Sequence, residues 1–190
     1  MKRVFIVHGW AGTPQEGWFP WLRTELENRG FQVFVPQLPD ANVPSPHTWV
    51  PALAAAVGVA DRDTYFVGHS MGCQTIARYL EGLDDSVTVG GVVYVAGFFS
   101  SLALDTDEDE KVWNEWKIPP LDFARVRACS PKSVALFSDD DPWVPLRNQD
   151  DFRDKLGSEI IVEHGMNHFN ESSGCLELPI VLESVLTLAA

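Results

Sequence analysis

Apolar residues fall into two rhythms along this chain. Short, near-continuous apolar runs rich in Val, Ile and Phe occupy residues 3–7, 31–35, 64–67, 90–95, 133–137 and 159–162. Runs that are apolar at successive positions suit parallel strands covered on both faces. Between them, apolar residues recur every three or four positions over 19–29, 48–57, 71–83, 147–156 and 179–188, the spacing of amphipathic helices. Pro20 is tolerated in the first turn of the first helix and Gly30 stops it. In the third, Ile76, Ala77, Leu80 and Leu83 form one stripe. Strand and helix in alternation predict an α/β fold: a three-layer sandwich in which a mostly parallel sheet carries helices on both faces and the crossovers are right-handed. Residues 1–190 read as a single domain. Functional groups in such folds collect beyond the carboxyl ends of the strands.

One stretch breaks the rhythm. Residues 100–120 hold Asp105-Thr106-Asp107-Glu108-Asp109-Glu110, then Trp113 and Trp116, then Pro119-Pro120. The acidic run reads as a solvated, mobile loop. Because it follows a strand's carboxyl end, the alternative is a small lid with the tryptophans turned inward.

Composition narrows the function classes. A chain of 190 residues, 45% hydrophobic and 22% charged, buries a substantial core. Its net charge of −13 argues against nucleic acid and against anionic membrane surfaces. No run is long enough to span a membrane, and Met1-Lys2-Arg3 leads into a strand rather than a signal peptide. Cys73, Cys129 and Cys175 are odd in number and widely spaced, with no zinc pattern; they read as thiols in a reducing cytoplasm.

The chemistry centres on Gly68-His69-Ser70-Met71-Gly72, set after the run 64–67 and before the helix at Met71. This is the pattern of a nucleophile elbow, in which a sharp strand-to-helix turn presents a serine hydroxyl. A serine needs a base within hydrogen-bond reach, and the base needs an orienting acid. Both follow, each in a loop after a strand. Asp139-Asp140-Asp141-Pro142 offers the acid, with Asp141 preferred, Asp140 second and Asp139 third, because Pro142 disfavours helix at Asp141. His164-Gly165-Met166-Asn167-His168 offers the base, with His168 preferred and His164 read as a structural neighbour. The same two histidines in H-x-x-x-H spacing are not read as metal ligands, since a glycine and a strand end interrupt any helix. The expected oxyanion donors are the backbone N–H groups of Met71, at a helix N-terminus, and Trp10, in the loop after the first strand. His8 reads as a brace for that loop and His69 as packing. Cys73, inside the helix, is a poor rival nucleophile. Trp10, Phe98 and Trp143 are candidate walls of an apolar acyl pocket, and Phe99, Trp113 or Trp116 are further candidates to line it.

Taken together, these residues resemble the α/β-hydrolase superfamily, and most nearly its small, cap-poor branch of retinoblastoma-binding protein 9 and YdeN-like serine hydrolases. The likeness runs through Val7-His8-Gly9-Trp10, Trp18-Phe19-Pro20-Trp21-Leu22, Leu38-Pro39-Asp40, the elbow, Val95-Ala96-Gly97-Phe98, Asp140-Asp141-Pro142 and Gly165-Met166-Asn167-His168-Phe169. It implies six parallel strands with little or no cap domain, and a Ser70–Asp141–His168 triad. The expected activity is that of a serine hydrolase of the carboxylesterase type acting on short-chain acyl esters, with no cofactor and no metal. A thioesterase, amidase or aminopeptidase would use the same groups. A non-catalytic binding protein on the same frame is the reading from another class. The expected partner is a small-molecule ester, with no nucleic acid and no membrane.

Overall fold

The computed structural model describes residues 1–190. Six strands form one sheet: β1 (Arg3–Val7), β2 (Gln32–Phe34), β3 (Thr64–His69), β4 (Gly91–Val95), β5 (Ser133–Ser138) and β6 (Glu159–Glu163). Their order is β2-β1-β3-β4-β5-β6 and every neighbouring pair is parallel.

Alternation along each strand divides the core in two. Val4 and Ile6 of β1, Tyr65 and Val67 of β3, and Val93 and Val95 of β4 face one layer. That layer is closed by α1 (Phe19–Glu27) through Phe19, Leu22 and Leu26, and by α7 (Pro179–Leu188) through Val181 and Val185. Phe5, Val7, Phe66, Val92 and Tyr94 face the opposite layer. There α2 (Pro46–Val57), α3 (Met71–Glu81), α4 (Asp107–Trp116) and α5 (Phe123–Cys129) pack. Because successive strand side chains point to opposite faces, a strand inside such a sandwich must be apolar throughout. That is why the central strands read so plainly from the sequence.

Helix α2 starts two residues earlier than its periodicity suggests. Ser45 sits in extended backbone as the N-cap, and Pro46 takes the first helical position, where a missing N–H costs nothing. Residues 147–156, expected as one continuous helix, form with Leu146 three unlike turns, here called α6. A tight turn (Leu146–Asn148) leads into an α turn (Gln149–Asp151) and then a wide π turn (Phe152–Leu156). The wide turn coincides with Phe152 entering an aromatic cluster with Tyr94, Phe99 and Phe137.

The acidic stretch is a helix rather than an irregular loop. Thr106 caps α4 by accepting from the Asp109 N–H, and its hydroxyl donates to the Asp109 carboxylate. Four acidic residues fill the first turn, where the helix dipole favours negative charge. Trp113 and Trp116 are buried. Trp113 packs edge-on to Phe98, and the Trp116 indole N–H donates to the Pro44 carbonyl. Helix α5 was not expected either; Asp122 caps it through the Arg125 N–H.

Candidate active site

Five loops at the carboxyl ends of the strands converge on one cavity of about 310 Å³. At its base, Ser70 joins β3 to α3 with φ 52° and ψ −120°. Such backbone costs a non-glycine residue on the order of 1–3 kcal/mol and persists only where its surroundings enforce it. Here they do. A Cβ on Gly72 would lie 2.2 Å from the Val7 carbonyl oxygen, and one on Gly68 would lie 2.8 Å from Ile76 and 2.9 Å from the Cys73 nitrogen. The turn is therefore packed directly against β1 and its own helix, with room only for hydrogen. The Ser70 N–H donates to the Val95 carbonyl at 2.9 Å. The residue is 8% exposed and lines the cavity. Its hydroxyl has no hydrogen-bond partner within the protein.

His168 lies across the cavity, in the loop after β6. Its Nδ1–H donates to Asp141 Oδ2 at 2.7 Å, with both side chains almost fully buried. The other Asp141 oxygen accepts from the Trp143 and Val144 N–H groups, each at 2.9 Å. A carboxylate held by three donors cannot swing away, so the imidazole keeps Nδ1 as its donor nitrogen and leaves Nε2 free.

The other two aspartates hold the same loop at other points. Asp140 accepts from the Asn167 N–H and the Ser138 hydroxyl. Asp139 accepts from the Gly165 N–H and the His164 ring. Ser138 also accepts from the Met166 N–H. The loop needs this restraint, because Asn167 and Phe169, on either side of His168, both have positive φ. His164 faces solvent and Asp139, so the structure does not bring the two histidines of the H-x-x-x-H spacing to a common point. The mutual hydrogen bond of this outer pair, ahead of simple charge, raises the His164 pKa and lowers that of Asp139.

Two side chains hold the loop from beneath. The Trp18 indole N–H donates to the Phe169 carbonyl at 2.9 Å. His69 donates its Nε2–H to the His168 carbonyl at 2.8 Å. Complete burial, reinforced by His168, pushes the His69 pKa down to about 3, so the ring is neutral and acts as a donor. Packing alone understates what this residue does.

The loop after β1 forms the opposite wall. His8 accepts the Leu38 N–H at Nε2 and donates from Nδ1 to the Gly9 carbonyl, bracing the loop from within. Burial lowers its pKa as well. The Trp10 indole donates to the Asn42 carbonyl. The main-chain N–H groups of Trp10 and Met71 donate to no protein acceptor, and Met71 opens α3. Cys73 is turned away, with its thiol toward the Gly68 and Val95 carbonyls and its pKa raised by burial.

Trp10, Phe98 and Trp143 line the cavity. Trp143 stands edge-on to the His168 ring, with centroids 5.1 Å apart. Phe99, Trp113 and Trp116 do not line it; they belong to the core beneath. Sequence reasoning missed the segment 102–105, whose Leu102 and Leu104 complete the apolar wall. That segment is pinned by the Ala103 N–H to the Trp143 carbonyl and by Asn148 to both backbone groups of Ser101. The Thr106-x-x-Asp109 capping pattern was the available signal that this stretch is ordered.

A six-stranded parallel α/β sandwich with a strained serine at the β3–α3 turn is the frame of an α/β hydrolase. Residues 4–187 match the serine hydrolase family, and the chain belongs to that family. It is 31% identical over 187 residues to YdeN of Bacillus subtilis (strain 168), covering 98% of this chain and 95% of that protein. It is 28% identical over 190 residues to the serine hydrolase RBBP9 of Rattus norvegicus, covering 98% and 97%. The crystal structure of the B. subtilis ydeN gene product superposes with a TM-score of 0.91 over 99% of this chain and 98% of that one, at 28% identity in the structural alignment. A carboxylesterase structure from Nitrososphaera gargenis superposes with a TM-score of 0.73 over 99% and 91%, at 13% identity, a likeness of fold alone.

Proposed function

We propose that this serine hydrolase is a carboxylic ester hydrolase that works through an acyl-enzyme on Ser70. In this reading His168 Nε2 takes the Ser70 proton as the hydroxyl oxygen attacks the ester carbonyl. The developing oxyanion accepts from the N–H groups of Trp10 and Met71. Collapse of the tetrahedral intermediate breaks the carbonyl–alkoxide bond, and His168 returns its proton to the departing alcohol. A water then gives a proton to His168 and adds to the acyl carbon, and the second collapse frees the acid and restores Ser70. Asp141 keeps His168 in the productive tautomer and stabilises the imidazolium.

The observation that carries this reading is the buried 2.7 Å bond between His168 and Asp141, on a ring that lines the same cavity as Ser70. The Ser70 hydroxyl is not yet bonded to His168; such bonds tighten when substrate binds. A volume of about 310 Å³ lies at the small end of ligand pockets and supports short acyl groups. The substrate is a small molecule, and the three unpaired cysteines support a cytoplasmic setting. No helix is long and apolar enough to cross a membrane.

The test is covalent labelling. A fluorophosphonate should phosphonylate wild-type protein at Ser70, located by mass spectrometry, and leave a folded Ser70→Ala variant unlabelled. Labelling elsewhere, or none on a well-folded chain, would overturn the assignment.

A further inference from the structure

The walls of the cavity carry charge of one sign. Glu16, from the turn after β1, lines it from one side. Asp105 and Asp109, from the segment leading into α4, line it from another. No Lys or Arg is among its lining residues, and none of these three carboxylates joins an ion pair. Their only partners are uncharged: Glu16 accepts the Thr13 N–H and Asp109 the Thr106 hydroxyl. Both histidines on the lining are committed, His168 to Asp141 and His69, held neutral, to the His168 carbonyl.

A second, separate observation ties this acidic cluster to a ligand space: Glu16 and Asp109 are half-buried, Asp105 is exposed at the mouth, and all three share one lining with Ser70. Ser70 is more than nine-tenths buried, has an unpartnered hydroxyl and opens into the same cavity. A molecule presented to Ser70 therefore occupies a space walled by Phe98, Leu102 and Leu104 and by the three carboxylates. Trp10 and Trp143 line the same space, and indoles also stabilise cations.

We infer that the preferred substrates are esters bearing a fixed positive charge, an ammonium group carried a few bonds from the scissile carbonyl. This rests on the esterase reading above and specifies its substrate class. The unpaired carboxylates attract such a group, most strongly the half-buried Glu16 and Asp109, where charge is less screened than at the exposed Asp105. They repel an anionic group by the same physics, so discrimination is widest between substrates of opposite charge.

The experiment compares three esters of one fluorogenic phenol: a trimethylammonium-butanoyl ester, its uncharged tert-butyl isostere, and the matching sulfonate. The expected order of kcat/KM is cationic, then neutral, then anionic, with roughly tenfold or more between the ends, the scale of a modest ion pair. Raising salt toward 1 M should compress the ratio, because screening shortens to about 3 Å. In the triple variant Glu16→Gln, Asp105→Asn, Asp109→Asn the cationic-to-anionic ratio should fall toward one. Equal rates for all three esters, or a ratio unmoved in the triple variant, would overturn the charge preference while leaving the esterase reading intact. If no ester turns over, the rate of Ser70 phosphonylation by cationic and anionic fluorophosphonates reads the same preference. Unlabelled Ser70 in that assay would sink the esterase reading itself, and the charge preference with it.

Discussion

His69 donates its Nε2–H to the backbone carbonyl of His168 across 2.8 Å, so the residue beside the candidate nucleophile holds the candidate base. The bond is buried and spans 99 residues of sequence. Replacing His69 with Phe removes the donor and leaves a buried carbonyl unpaired, at a cost of about 1–3 kcal/mol. We expect kcat to fall about tenfold or more with little change in KM, because the His168 loop loses its inner anchor. Asn, which restores an N–H, should recover part of that loss. Unaltered kcat in a folded His69→Phe protein would show that the other anchors suffice.

The same histidine makes stability depend on pH. Its pKa in the fold is about 3 against an ordinary 6.5. Between those values the unfolded chain binds a proton that the folded chain refuses, so stability falls as pH falls, by up to about 1.4 kcal/mol per pH unit. Urea unfolding from pH 7 to 4 should give a shallower slope for His69→Phe than for wild type. Parallel slopes would mean that His69 is protonated in the fold.

The three aspartates make separable contributions. Asp141→Asn can no longer hold the Nδ1–H tautomer of His168, and kcat should fall roughly 10³–10⁴-fold. Asp140→Asn keeps an oxygen to accept from Asn167 and Ser138, and its loss should stay under about tenfold. Steady-state kinetics on one ester decides; equal losses would remove Asp141 from its special role.

The elbow predicts an opposition between stability and activity. Ser70 has backbone that glycine adopts without cost, so Ser70→Gly should be more stable than Ser70→Ala by about 1 kcal/mol, with no hydrolysis in either. Gly72→Ala drives a methyl into the Val7 carbonyl and should lose more than about 3 kcal/mol or fail to accumulate. Thermal unfolding of the three variants tests both statements.

The outer pair, Asp139 and His164, works in a bounded pH window. The raised His164 pKa stabilises the fold fully below about 6.5, and this is lost as pH rises through the raised value. The lowered Asp139 pKa stabilises it above about 3.8, and this is lost as pH falls through the lowered value. A His164→Gln variant should therefore differ most from wild type near pH 5 and converge with it in alkaline buffer. A difference that persists at pH 9 would show that charge has no part in the contact.

Legibility tracked burial. The sequence places all six strands to within about two residues at each end, because the interior of a sandwich demands apolar side chains on both faces. Strand β2, at the sheet edge, is shorter than its apolar run, since only β1 pairs with it. Helices α4 and α5 escaped notice. One is rich in charge and the other spans only seven residues, so neither shows a sustained apolar stripe. The break-up of residues 147–156 was also hidden, for their spacing suits a plain helix and only the packing of Phe152 distinguishes it.

By itself, the sequence determined the α/β alternation, the strained turn at Ser70 and the loops that carry the candidate acid and base. Those features depend on residues near one another in the chain: apolar runs, helix stripes, and glycines on both sides of one serine. Only the tertiary structure decided which aspartate meets His168, that His69 and Trp18 hold its loop, and that Glu16 and Asp105 line the same cavity. Each of these pairs joins loops distant in sequence, and the distance between them is set by strand order and register, which no local pattern encodes.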